Sequence, residues 1–488
     1  MEELLAEKDQ IIAELAQKNE ALAFQLAELK RMIFGAKSER FVPVVIPGQL
    51  SLEIPTQESV IEQEPEVITV EAFDRKKKKE KKHPLRLAFP DHLVREEIIL
   101  EPEGDLADCK KIGEEITEEL ELIEAKLIVK RFVRVKYAKN DSSAVLIADM
   151  PSRVINKGLF GPNLITQIIT DKYVDHLPLY RQMARFERAG IKLAMSTLAD
   201  TITNVCGLIM PLYSSLQQTV LQSNYLQVDE TPIKVLDRLT KGKTHRGYHW
   251  VYHSPNQRLV LFDYRTGRGR EGPEELLKDF KGYLQTDGYA VYDAFERKSG
   301  VTLLCCMAHA RRKFEQALEN DRACAEYVIK CMQQLYEVEA EIREQKLSVE
   351  NILTLRAEIS LPILIKIAQW MKDHWNKVTP ESAIGKAIYY TVSRWDKLCR
   401  YIDHPDLQID NNLIENSIRP VAIGRKNYLF AGSHDGAKRA AMIYSFFGSC
   451  KMNNVNPQKW LADILIKIAD TKSSQLHTLL PNNWKNSQ

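Results

Sequence analysis

Tyr225-Leu-Gln-Val-Asp-Glu-Thr231 and Tyr283-Leu-Gln-Thr-Asp-Gly-Tyr289 decide the fold, because each reads as a short apolar strand that ends on an acidic residue. They lie in a block, 224–320, that alternates strand-like and helix-like stretches. Strands are expected over 225–235, 247–253, 258–264, 283–287 and 301–307; a helix over 271–280 follows the third, and another begins near Ala308. Residues 321–400 are helical in pattern, with no strand-like alternation. A third acid, Glu415 in Asp410-Asn-Asn-Leu-Ile-Glu-Asn-Ser-Ile-Arg-Pro420, follows on a further helix.

Three consecutive strands, a helix and a fourth strand predict an α/β core with a ribonuclease-H-like sheet, whose first and fourth strands are neighbours. That neighbourhood sets Asp229 beside Asp287. The core then occupies 223–320 and 401–440, and 321–400 is a helical insertion between the second and third acids.

Three carboxylates brought together repel one another. A like-charge pair about 4 Å apart costs on the order of 4 kcal/mol at an effective dielectric of about 20. Hard divalent cations with oxygen ligands, Mg²⁺ or Mn²⁺, remove that cost. Two such ions roughly 3.5–4 Å apart activate a water or hydroxyl and stabilise the leaving oxygen of a phosphodiester. The expected catalytic and metal-holding set is therefore Asp229, Asp287 and Glu415, in an enzyme that cuts or joins DNA. Asp229 is preferred to Glu230 because Gln227, Asp229 and Thr231 share one strand face, while Leu226, Val228 and Glu230 share the apolar one.

At 488 residues the chain is too long for one core. A net charge of +2 confines any nucleic-acid surface to local patches. The eight cysteines are scattered and form no Cys-x-x-Cys pair, as expected of a reduced, cytoplasmic protein. No apolar run approaches the ~20 residues of a membrane span.

Leu5, Ile12, Asn19, Leu26 and Ile33 recur at one heptad position, and Leu15, Leu22 and Leu29 at the other. Residues 1–40 are thus expected to form a leucine-zipper-like coiled coil giving a homodimer or higher oligomer, with Asn19 specifying register. Residues 41–90 read as a linker, acidic around 58–71 and then basic through Arg75-Lys-Lys-Lys-Lys-Glu-Lys-Lys82. A small β-rich module is expected over 91–155, where Val129, Val133, Val135 and Tyr137 share one face of a strand over 126–137. Residues 156–222 read as a helical DNA-binding region. A helix over 179–188, a break at Ala189-Gly190 and a helix capped by Ser196 have a helix-turn-helix layout. Residues 441–488 are expected to be a C-terminal helical tail.

Arg31-Met-Ile-Phe-Gly-Ala-Lys-Ser-Glu-Arg40, Lys172-Tyr-Val-Asp-His-Leu-Pro-Leu-Tyr-Arg181, Val228-Asp-Glu-Thr231 and Glu415-Asn-Ser-Ile-Arg-Pro-Val-Ala-Ile-Gly-Arg-Lys-Asn427 resemble motifs of the insertion sequence 66 family of DDE transposases. The resemblance runs to Leu479-Leu-Pro-Asn-Asn-Trp484. It implies cut-and-join of a bacterial mobile element's ends on a ribonuclease-H-like core, with DNA as partner and other element-encoded proteins as accessories. Family members commonly carry a cysteine-rich zinc motif; here Asp108-Cys-Lys110 and Tyr137-Ala-Lys-Asn-Asp141 stand in its place, so no zinc is expected.

Around the acids, Arg419 lies one helical turn after Glu415 and is expected to clamp phosphate where Pro420 ends the helix. Arg425 and Lys426 add two cations for DNA. His309, Arg311 and Arg312, after the fifth strand, are further expected DNA or active-site contacts, with Cys306 in the core. His249 and His253 share a strand face about 13 Å apart and cannot share a metal. Trp370, Trp375 and Trp395 are expected in the core of the insertion. Two competing readings are a catalytically inactive element protein acting as a repressor, and a host structure-specific nuclease.

Overall fold

The computed structural model describes residues 127–133, 136–138, 145–147, 153–156, 158–236 and 243–484. The expected coiled coil over 1–40, the linker over 41–90 and Cys109 with its zinc question lie outside the described residues. A two-stranded antiparallel hairpin, β1 (Lys136–Ala138) and β2 (Val145–Ile147), is what is described of the expected β-rich module. Residues 127–133 are not a strand: they are irregular and exposed, with Val129 at 95% exposure. Alternating valines suit a pleated surface, but a strand also needs a neighbour to take its backbone hydrogen bonds, and none lies beside this stretch among the described residues.

The centre is a mixed sheet of β3 (Tyr225–Leu236), β4 (Thr244–Ser254), β5 (Leu259–Arg265), β6 (Gly282–Thr286) and β7 (Val301–Cys305), in the order β5-β4-β3-β6-β7. The first three strands are antiparallel; β6 and β7 run parallel to β3. The first and fourth strands of the core are therefore neighbours, as the strand pattern predicts. β6 meets β3 only at Tyr225–Gln227, and β3 is buried over Tyr225–Val228 and alternates in and out from Thr231 onward. Helix α4 (Glu271–Leu276) crosses between β5 and β6.

Helices α1 (Pro162–Tyr173), α2 (Leu179–Arg188) and α3 (Met195–Leu221) precede the sheet. The helix–glycine turn–helix layout is present, with Gly190 at φ +79° supplying the left-handed turn. Helix α3 nevertheless begins at Met195, one residue before the expected Ser196 cap, and no side chain caps it. Its stripe of Ile202, Val205, Ile209, Leu212, Leu216 and Val220 is fully packed into the same core as Val228, Trp250 and Phe262. Helix α3, with Ile165, Ile169 and Tyr173 of α1, is thus a wall of the α/β core, because so long an apolar stripe must be covered by something, and the sheet covers it, while Phe186 of α2 packs with Ile168 and Leu198 in a small cluster of their own.

Helices α5 (Met307–Ala317), α6 (Arg322–Gln345), α7 (Val349–Leu355), α8 (Leu361–His374), α9 (Ala383–Val392) and α10 (Trp395–Cys399) build a second core around Phe314, Val328, Met332, Ile367 and Ile388. Trp370 stacks between Tyr327 and His374, whereas Trp375 is 44% exposed and lies against Tyr389. The chain then returns through α11 (Asn412–Tyr428), α12 (His434–Met452) and α13 (Pro457–Lys467). Helix α12 runs across the expected boundary at 440, and Ala441, Phe446 and Cys450 are buried in the first core, so this stretch is not a tail.

Candidate active site

The strand register places the first two acids. Gln227 is paired with Gln285, an offset of 58 residues that also relates Asp229 to Asp287. Neighbouring strands lie about 4.8 Å apart; Asp229 sits within β3, which continues to Leu236, and Asp287 directly follows β6, each two positions beyond that pair. Asp287 starts a tight turn in which its Oδ1 accepts the Tyr289 N–H at 2.8 Å and Gly288 has φ +85°. The insertion holds this turn from outside: Tyr390 Oη donates to the Asp287 carbonyl at 2.6 Å, and Arg394 Nη2 to the Gly288 carbonyl at 3.0 Å. A Cβ on Gly288 would meet Arg394 Nε at 2.5 Å, so the turn leaves no room for a larger residue.

The third acid arrives through a buried polar network. Tyr225 Oη donates to Gln285 Oε1 and accepts from the Gln408 N–H at 3.2 Å. Gln227 Nε2 donates to the Asp410 carbonyl at 2.9 Å, and Gln285 Nε2 to the Gln408 carbonyl at 2.8 Å. The Cys306 thiol, fully buried, accepts the Asn411 N–H at 3.2 Å. Further back, Arg356 leaves a π-helical turn (Arg356–Ser360) to pair bidentately with Glu339, and donates to the carbonyls of Tyr401, His404 and Leu407. Residues 401–411 are therefore tied down at both ends, and Glu415 follows in the first turn of α11.

The other carboxylates act on Asp229. Asp229 is pushed up to about 8, by burial first, then by Glu230 and Asp287, with Glu415 adding to them. Glu230 is raised by burial and drawn back by Arg268, whose Nη2 lies 2.5 Å from its carboxylate while the guanidinium also covers Tyr289 at 4.1 Å. Glu230 is thus already partnered, and Asp229, without an ion pair among the described residues, is the carboxylate left for a ligand. His309 sits in the first turn of α5; burial lowers its pKa, while Glu415 and Asp287 raise it. Its Nδ1 is buried with no hydrogen-bond partner. Arg312 reaches to 4.0 Å from Glu415, whereas Arg311 pairs with Glu315 at 3.1 Å.

Among the described residues, no three His, Cys, Asp or Glu side chains converge closely enough to enclose a metal ion. The donor chemistry does fit Mg²⁺ or Mn²⁺: carboxylate oxygens, one of them costly to ionise without a cation. His249 and His253 are buried, each lowered to about 3 by burial, and His253 Nδ1 is engaged by Gln227 Oε1 at 3.0 Å.

The cations beyond Glu415 separate into distinct places. Helix α11 does not stop at Pro420 but continues to Tyr428. Proline forfeits one backbone bond, and packing of Ile414, Ser417, Val421 and Gly424 holds the helix regardless. No ion pair joins Arg419 to Glu415 among the described residues; Arg419 is exposed and lines a groove on α11 with Asn416 and Ile423. Arg425 Nη1 donates to Thr231 Oγ1 at 2.9 Å and to the Pro232 carbonyl, fastening α11 to β3. Lys426 is exposed.

Gln227, Gln285, Tyr225, Arg356, Tyr390, Arg394 and Arg268 escaped the reading of the sequence. A signal existed for three of them: the repeated Tyr-Leu-Gln before each acid places identical polar side chains on adjacent strands. The arginines carry no local mark, since their partners, the carboxylates of Glu230 and Glu339 and several backbone carbonyls, are distant in sequence.

Three family models match in order along the chain. "Transposase C of IS166 homeodomain" covers residues 21–98, "Transposase IS66 family" 157–439, and "IS66 C-terminal element" 445–482. Among curated proteins, the uncharacterized protein y4hP of Sinorhizobium fredii is 31% identical, over 95% of this chain and 89% of its own length. The uncharacterized protein y4jD of the same organism is 32% identical, over 96% and 95% respectively.

Proposed function

The chain belongs to the IS66 family of transposases, and from that premise we propose that it cleaves and joins DNA at the ends of a bacterial insertion sequence, on a ribonuclease-H-like core. The observation that carries the reading is the pairing of Gln227 with Gln285, two residues before Asp229 and Asp287 on adjacent parallel strands, together with the electrostatic reach of Asp287 and Glu415 to Asp229. These three side chains would hold two Mg²⁺ or Mn²⁺ ions. When bound, the ions would activate the attacking water or hydroxyl and stabilise the leaving oxygen of the phosphodiester.

The protein's part is positioning. Tyr390 and Arg394 hold the Asp287 turn, the Tyr225–Gln227–Gln285 network holds the approach to Glu415, and Arg268 neutralises Glu230 so that Asp229 faces one fewer bare charge. Cleavage breaks a phosphodiester and leaves a 3′-hydroxyl; that hydroxyl then attacks a target phosphodiester, whose own 3′-oxygen leaves. Arg312, 4.0 Å from Glu415, and His309, which feels Glu415 and Asp287, would meet the phosphate. Recognition of the element end falls to residues 21–98, by their match to a model described as a homeodomain, with dimerisation through the heptads of 1–40.

The test is cleavage of element-end DNA with Mg²⁺ by Asp229→Ala, Asp287→Ala and Glu415→Ala variants. Each should lose cleavage while retaining end binding in a gel shift. Cleavage near wild type in any variant removes that residue from the set, and a wild-type protein that binds ends but never cuts them supports a repressor instead.

A further inference from the structure

One groove of the molecule does not contain the carboxylates. It has a volume of about 990 Å³ and lies between the end of α1, the β4–β5 turn, α11 and α12. That is at the upper end of the roughly 300–1,000 Å³ of small-molecule sites. Its lining includes Leu413, Pro420 and Ile423 of α11, and both Leu413 and Ile423 are about half exposed, at 44% and 50%. Its basic members are His176, His253, Arg258, Arg419 and Lys451, with no carboxylate among the lining residues. Arg258 is spent on the Met452 carbonyl. Arg419 and Lys451 are exposed, and no ion pair joins either to an acid among the described residues.

An apolar floor with uncompensated cations at its edge suits a ligand with flat apolar faces and regularly spaced anionic groups. Double-stranded DNA hides its base faces; an unpaired strand offers both. Helix α11 carries Glu415 in its first turn and Arg419, on the groove's lining, one turn later, about 6 Å further along the helix axis.

We propose that this groove binds unpaired nucleotides of single-stranded DNA, bases against Leu413, Pro420 and Ile423 and phosphates on Arg419 and Lys451. The proposal deepens the transposase reading and rests on it for its biological setting: the strand would be one frayed at the element end, led across α11 from the carboxylates.

The test needs no catalysis. Full-length protein in EDTA is titrated with a 12-nucleotide single strand carrying 2-aminopurine, over a series of salt concentrations. Arg419→Gln and Lys451→Gln should each flatten the slope of log affinity against log salt by about 0.7, the counterion release of one single-strand phosphate. Leu413→Ser and Ile423→Ser should weaken binding roughly fivefold or more and leave the slope unchanged. Wild-type affinities and slopes in all four variants overturn the proposal. So does a photoreactive residue at position 423 that labels the chain's own residues 1–126 and not the oligonucleotide. Normal binding by the groove variants, alongside loss of cleavage in the carboxylate variants, sinks the groove alone. Intact groove binding with cleavage unaffected by Asp229→Ala, Asp287→Ala or Glu415→Ala sinks the catalytic assignment alone.

Discussion

Asp229→Asn should make the metal-free protein more stable, and by an amount that depends on pH. Burial and neighbouring acids hold Asp229 at about 8, against 3.8 for the free side chain. A carboxyl with a raised folded-state pKa keeps its proton in the folded protein while the unfolded chain has already lost it. Stability is therefore lost as pH rises from about 4 to about 8, at up to about 1.4 kcal/mol per pH unit, and is level outside that window. At pH 6 the penalty reaches at most about 3 kcal/mol. Asparagine is neutral throughout and keeps an Oδ1 for the Glu230 N–H, which Asp229 accepts at 2.7 Å. The assay is thermal unfolding in EDTA from pH 5 to pH 9. The variant's advantage should be small at pH 5, grow to several degrees, and level off above pH 8; shifts of about 2–4 °C per kcal/mol hold for domains of 150–250 residues, and less in a chain this long. Mg²⁺ should then raise the midpoint of the wild type and not of the variant, because only the wild type retains the anionic ligand. Equal midpoints at every pH in EDTA, or an advantage constant across the range, would refute the assignment of Asp229 as the strained carboxylate.

Arg356→Met should destabilise the protein by roughly 3–5 kcal/mol in chemical denaturation, because it strands the buried Glu339 carboxylate; adding Glu339→Leu should restore most of that loss, and failure to restore it would assign the cost to the three carbonyl bonds instead. Tyr390→Phe removes one hydrogen bond to the Asp287 carbonyl, so single-turnover cleavage should slow by about 2- to 12-fold, the rate equivalent of about 0.5–1.5 kcal/mol, with end binding unchanged. Gly288→Ala should be worse in the same assay, since the turn needs φ +85° and the new Cβ meets Arg394. A peptide of residues 1–45 should sediment as a dimer, with Asn19→Leu broadening its oligomer distribution; a monomer at high micromolar concentration removes the zipper.

Local pattern in the sequence determined the strand order of the core, the insertion between second and third acids, and the neighbourhood of Asp229 and Asp287, because strand period and apolar strand ends are written residue by residue. Periodicity also shows that an element has an apolar face, though never what covers it. Only the tertiary structure turned α3 inward against the sheet, left 127–133 without a partner, carried α11 through Pro420, and spent Arg425 on Thr231 and Pro232. The approach of Glu415 belongs to the same class. It depends on Gln227 reaching Asp410, 183 residues away, and on Arg356 gathering three carbonyls 45 to 51 residues on. Such bonds are made between groups with no common local pattern, and they exist only once the chain has closed the long loops that bring those groups together.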